Sequence, residues 1–194
     1  MKRIALSPIV LAIIVSFSLF QQSCTKAGGS SQVERGAYLV MAGGCNDCHS
    51  PKAMTDKGPV PDTTRLLSGH HGGAQLPVIP AGLISPTGWG VLSNNDLTAW
   101  AGPWGVSFAY NLTPDNATGL GSWDENTFIQ TLRTGKFMAM SRDILPPMPW
   151  QNIGRMKEED LKDIFAYLKS LAPINNPIPT PIAPEAQPAA GTAR

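Results

Sequence analysis

Residues 43 to 52 read GGCNDCHSPK, so Cys45 and Cys48 stand three positions apart and His49 follows the second thiol directly. Two thiols closed by an imidazole are what covalent attachment of a c-type haem requires: each sulfur adds to one porphyrin vinyl group, and the histidine supplies the proximal ligand to the iron. Other uses of a paired cysteine fit less well. A zinc site would need further ligands, and beyond His49 the chain offers only Cys24, His70 and His71, with no second CxxC. A thioredoxin-like redox motif would be flanked by apolar strands, whereas the neighbours here are Gly, Asn, Asp, Ser and Pro.

A haem iron so held has one axial position left, and a thioether there stabilises the ferrous state and raises the potential. Past the leader the methionines are Met41, Met54, Met138, Met140, Met148 and Met156. Met148 lies in ILPPMPW, where prolines fix φ and favour an extended loop of low entropy, suited to holding a sulfur at one point. Met138, Met140 and Met156 read as core packing, the commoner fate of methionine. His70 and His71, in the glycine-rich stretch LSGHHGG, are the rival ligands; such a pair is more often a solvated turn.

These residues must be positioned by few regular elements, because 19 glycines and 18 prolines in 194 residues describe a loop-rich chain. QVERGAYLVMAGG at 32 to 44 predicts a helix stopped by the glycine pair before the motif. In SWDENTFIQTLRTGK, Ser122 and Glu125 have the spacing of a capping box, Phe128 and Leu132 share a face, and Gly135 sits at a C-terminal stop. In MKEEDLKDIFAYLKSL, residues Leu161, Ile164, Phe165, Leu168 and Leu171 form an apolar stripe behind an acidic first turn, and Pro173 ends the helix. Between the first and second helices, residues 50 to 121 lack helical period and are expected to wrap the cofactor with a few short turns or strands. Residues 173 to 194, rich in Pro and Ala, are expected to be an extended or disordered tail.

The first 23 residues, a cationic start at Lys2 and Arg3 followed by an apolar run, have the layout of a secretory signal, which suits haem attachment outside the cytoplasm. The run ends in QQSC, so Cys24 is expected to carry lipid as in an exported lipoprotein, followed by a flexible tether over 24 to 31. The other readings of this end are an ordinary cleaved signal and an uncleaved anchor. Lipid on Cys24 and haem on Cys45 and Cys48 would account for all three cysteines. Two of the 15 basic residues fall in the leader, leaving 13 against 14 acidic ones; with no basic run or face, nucleic acid is an unsuitable partner.

The CxxCH at Cys45 to His49, the MPW at 148 to 150 and the terminal DLKDIFAYLKSL together resemble a class I c-type cytochrome domain over residues 32 to 172. NLTPDNATGLGSW at 111 to 123 and the MPW are similar to motifs in the cytochrome subunits of membrane-bound alcohol and aldehyde dehydrogenases, which usually carry several haem domains where this chain carries one CxxCH. The resemblance implies an all-α, cytochrome c-like fold around one covalent haem, with a long loop-rich insertion. It implies that first and last helices cross where Gly36 meets Phe165 or Tyr167. It also implies a proline carbonyl on the Nδ1 proton of His49, for which Pro59 is the first choice and Pro61 and Pro51 the others. Trp150, Trp123 and Asn111 are the candidate donors to the haem propionates. The expected function is one-electron transfer, without catalysis of its own, between periplasmic or membrane partners such as a dehydrogenase, an oxidase or another cytochrome. The alternatives are a haem subunit of a dehydrogenase complex, and a haem enzyme or gas sensor with a labile sixth ligand.

Overall fold

The computed structural model describes residues 31 to 80 and 82 to 184. The leader, Cys24 with most of the tether, and the end of the chain lie outside the described residues. The described residues from Gln32 onward form one compact unit.

Helix α1 (Gln32–Ala42) buries Gly36 and Val40 and stops where Gly44 turns left-handed, at φ 65°. The short helix α2 (Cys45–His49) follows at once. Helix α3 (Glu125–Thr134) begins two residues later than the predicted capping box: Asp124, not Ser122, is its N-cap, accepting the Thr127 N–H at 2.7 Å. Gly135 closes it at φ 69° and donates its N–H to the Thr131 carbonyl, as its position in the sequence suggested. A single turn, α4 (Trp150–Ile153), precedes α5 (Glu158–Ser170), which buries Leu161, Ile164, Phe165 and Leu168 along the predicted stripe.

Helices α1 and α5 cross at Gly36. A Cβ there would lie 1.9 Å from the Asp163 carbonyl oxygen and 2.8 Å from the Tyr167 Cβ, so only glycine allows the approach. Tyr167 is therefore the aromatic at the crossing, while Phe165 turns to Phe128, ring centroids 5.2 Å apart. Arg35 ties the same crossing by ion pairs to Asp160 and Asp163. Val40, Leu120, Trp123, Phe128, Ile129, Leu132 and the α5 stripe make one continuous apolar core.

The fold is not all-α. The segment between α2 and α3 supplies two small antiparallel sheets. Strands β1 (Lys52–Thr55) and β2 (Gly58–Pro61) form a hairpin, Lys52 opposite Pro61 and Thr55 opposite Gly58, whose two-residue turn is closed by Gly58 at φ 104°. Strands β3 (Leu92–Ser93), β4 (Ala99–Gly102) and β5 (Gly105–Phe108) form a meander in which Ala99 and Ala101 point inward. Runs of two to four residues are too short to establish a visible period, and Pro and Gly within them mask it further.

After α5, residues 173 to 184 are extended and bonded to the rest of the fold, and the remainder of the expected tail lies outside the described residues. Asn176 is 3% exposed; its side-chain amide donates to the carbonyls of Ser68 and His70, both at 2.8 Å, and its carbonyl oxygen accepts from Gly72 N–H at 3.2 Å. Farther along, Ile182 exchanges two backbone hydrogen bonds with Val106 on β5. Residues 173 to 184 thus strap the loop-rich middle down. Among the described residues no helix is long and apolar enough to cross a membrane.

Candidate functional site

The site is built on α2. Residues i and i+3 of a helix share a face, so Cys45 and Cys48 present their sulfurs to the same side. Neither is in a disulfide. Burial pushes the Cys45 thiol up to about 11 and raises that of Cys48. Cys45 packs against the apolar core, as do Leu39, Tyr110 and Leu112.

His49 is fixed by its second nitrogen. Its Nδ1 lies 2.8 Å from the Tyr110 carbonyl, which makes Nδ1–H the donor and leaves the Nε2 lone pair for a metal. Burial lowers its pKa, holding the imidazole neutral, the form that coordinates. The acceptor is thus Tyr110 rather than a proline. Pro59 is in β2 opposite Met54, Pro61 lies opposite Lys52, and the Pro51 carbonyl already accepts the Asp62 N–H. The hairpin draws these prolines away, and the strand leading out of β5 delivers Tyr110 in their place.

Lys52, which the sequence did not single out, crowns the C-terminal end of α2. Its ammonium donates to the carbonyls of Asn46 (3.1 Å), Asp47 (2.9 Å) and Ser50 (2.6 Å), groups that the end of a helix leaves without partners. Buried Ser50 adds a second tie, donating to Asn46 Oδ1 and accepting the Leu67 N–H. A lysine three residues past a CxxCH is the signal that could have pointed to this cap.

Met148 lies on a loop anchored at both ends. Upstream, the Pro146 carbonyl accepts from Ser107 Oγ at 2.6 Å; downstream, the Trp150 ring covers Gly135, where a Cβ would stand 2.4 Å from the indole. Met148 packs on the same core as Cys45, Tyr110 and Phe137. The other methionines divide differently from expectation. Met138 and Met140 (90% exposed) face solvent, as do Met41 and Met54, and only Met156 packs partly against the core.

The remaining candidates have these surroundings. Asn111 is fully buried and spends its side chain internally, donating to Thr118 Oγ1 and the Ile174 carbonyl and accepting from the N–H and hydroxyl of Thr113. That leaves nothing for a propionate. Trp123 belongs to a ring cluster with Tyr110 and Phe137, at 6.2 and 5.4 Å. His71 is in an exposed turn, but His70 is 1% exposed, held by Nδ1 to Thr98 Oγ1 at 2.9 Å beside the Phe108 ring.

The donor set fits a c-type haem. Two thiols lie on one helix face, an imidazole oriented through its Nδ1 follows them, and a thioether stands on a tethered loop; of these, Cys45 and Met148 pack against one apolar core. Among the described residues no three His, Cys, Asp or Glu side chains are grouped to hold a metal by themselves, so a porphyrin would have to supply most of the iron's ligands. Buried Arg65 Nε and His70 Nε2 have no hydrogen-bond partner, and both lie on the stretch that bonds to α2 through Gly69 N–H to the His49 carbonyl at 2.7 Å.

Comparison with known proteins agrees in kind. No family model matches the chain. It is 26% identical, over 90% of its length, to the gluconate 2-dehydrogenase cytochrome c subunit of Pantoea cypripedii, and 22% identical over 90% to the cytochrome c subunit of the quinone alcohol dehydrogenase of Gluconacetobacter polyoxogenes. Over 42% of its length it is 30% identical to the fructose dehydrogenase cytochrome subunit of Gluconobacter japonicus. The chain spans only 32%, 29% and 17% of these three proteins, in that order. It is similar to cytochrome c subunits of dehydrogenases.

Proposed function

We propose that this protein is a haem-bearing subunit that passes single electrons out of a dehydrogenase. The observation that carries the reading is α2: two thiols at i and i+3, then an imidazole whose Nδ1 is held by the Tyr110 carbonyl. In this reading Cys45 and Cys48 bind one haem covalently, His49 is the proximal ligand and Met148 the distal one, as in a class I cytochrome. The haem, when bound, supplies a one-electron couple. The protein's residues orient that couple and set its potential. Tyr110 keeps His49 in one tautomer, Lys52 and Ser50 fix the helix that carries it, and the apolar core keeps water from the sulfur ligand.

The relatives are all dehydrogenase subunits, which favours a place in such a complex over a free shuttle. A secretory leader and lipid on Cys24 would hold the protein at a membrane outside the cytoplasm, leaving the tether to give the domain reach. Haem content after denaturation and acid–acetone extraction tests the attachment. Wild type should retain one haem per chain, Cys45→Ala and Cys48→Ala together should lose it, and retention by the double variant would refute the assignment. Purification from native membranes tests the partner: a dehydrogenase should accompany the protein in fixed ratio.

A further inference from the structure

The segment after α5 makes contacts that a spacer has no use for, and they converge on the support of His49. Asn176 holds the Ser68 and His70 carbonyls with its amide and the Gly72 N–H with its carbonyl, and its own N–H donates to Thr118 Oγ1 at 3.0 Å. The stretch it grips is bonded directly to the metal-ligand helix. Gly69 N–H donates to the His49 carbonyl, and Leu67 N–H to Ser50 Oγ. The same stretch holds the strand that bears Tyr110, through His70 N–H to the Ala109 carbonyl at 2.9 Å and Leu112 N–H to the Leu67 carbonyl at 2.8 Å. One buried side chain therefore fixes the spacing between His49 and the carbonyl that accepts its Nδ1 proton. The close fit is built in: a Cβ on Gly72 would lie 2.1 Å from the Pro177 carbonyl oxygen.

We infer that Asn176 is a positioning residue for the iron ligand, and that the strap from Ile174 to Ile182 sets the redox potential through the His49–Tyr110 hydrogen bond. The inference rests on the reading of His49 as the proximal ligand. Loosening the clamp weakens the N–H to carbonyl bond and makes the imidazole a poorer donor. The ferric state then loses more than the ferrous, and the potential rises.

The test uses full-length holoprotein carrying Asn176→Ala, Thr118→Val as a milder change, and Leu168→Ala in the α5 core as a control for stability. Each is measured for midpoint potential and Tm. Asn176→Ala should change the ferric-to-ferrous balance about tenfold, which is about 59 mV upward for one electron. Thr118→Val should move it the same way by about threefold. Leu168→Ala should lower Tm at least as far while moving the balance less than twofold. If Asn176→Ala and Thr118→Val lower Tm but move the potential no more than the control, the strap is only structural and the inference is overturned. Should Asn176→Ala fail to fold, Thr118→Val decides alone. A wild-type ferric protein that is not low-spin, or that keeps its spectrum in His49→Ala, would overturn the ligand assignment instead, and the inference with it.

Discussion

Two regions of this molecule are held by different forces. The helical frame of α1, α3 and α5 is apolar: Val40, Leu161 and Leu168 are at most 1% exposed, and the backbones touch at Gly36. The middle region, with its two sheets, is stitched by side chains to backbone. Asn111, Thr113, Asp115, Asn94 and Asn176 each bond peptide groups that short strands and loops leave open. The first kind of region tolerates exchange of one apolar side chain for another. The second depends on particular donors and acceptors, because a buried peptide group that loses its partner costs far more than the bond contributes on average. The residues proposed to hold the haem sit where the two meet: Cys45 and Met148 pack on the apolar core, while His49 is oriented by a carbonyl of the stitched region.

The largest effect should come from the frame. Gly36→Ala drives a Cβ into the Asp163 carbonyl and must separate the helices, so we expect a loss of about 3 kcal/mol in denaturant unfolding, with all probes shifting together. Asn111→Ala should cost less, about 2 kcal/mol, by leaving Thr113 N–H without its partner and the Ile174 carbonyl with only the longer bond from Thr113 Oγ1. Hydrogen exchange should then quicken around 111 to 119 and 173 to 177 before it does in α5; uniform quickening would erase the distinction between the regions.

The smallest effect concerns pH. Burial lowers the pKa of His70, opposed by Asp96 and aided by His71, so the unfolded chain takes up a proton near its ordinary value of about 6.5 that the folded one does not. The neutral histidine is therefore accommodated at higher pH, and stability falls as pH drops below about 6.5. The difference in unfolding free energy between wild type and His70→Gln, followed from pH 8 to 5, should shift against wild type over that range. A flat difference would show that His70 does not contribute.

How much of this could be read beforehand follows the same division. The α5 stripe and the Gly135 stop were legible because 3.6-residue periodicity and left-handed turns leave marks in sequence, whereas the crossing at Gly36 followed only from the family resemblance. The CxxCH was legible because the chemistry itself fixes the spacing. The sheets were not, since strands of two to four residues broken by proline show no period. Nor was Tyr110 as the partner of His49: the acceptor is a backbone carbonyl, which every residue has, so no side-chain type announces it. Asn176 in a Pro-rich tail and Asn111 in a polar turn carry structural weight for the same reason, visible only once the peptide groups they satisfy are in place.

The central claim is that His49 and Met148 hold one iron from opposite sides, and absorption spectroscopy of the purified holoprotein tests it most directly. In the ferric wild type we expect a weak band near the red end of the visible spectrum, characteristic of sulfur ligation, lost in Met148→Ala, whose ferrous form should then bind carbon monoxide at neutral pH. A wild type that lacks the band or binds carbon monoxide as readily as the variant would contradict the claim and return the protein to the enzyme or gas-sensor class.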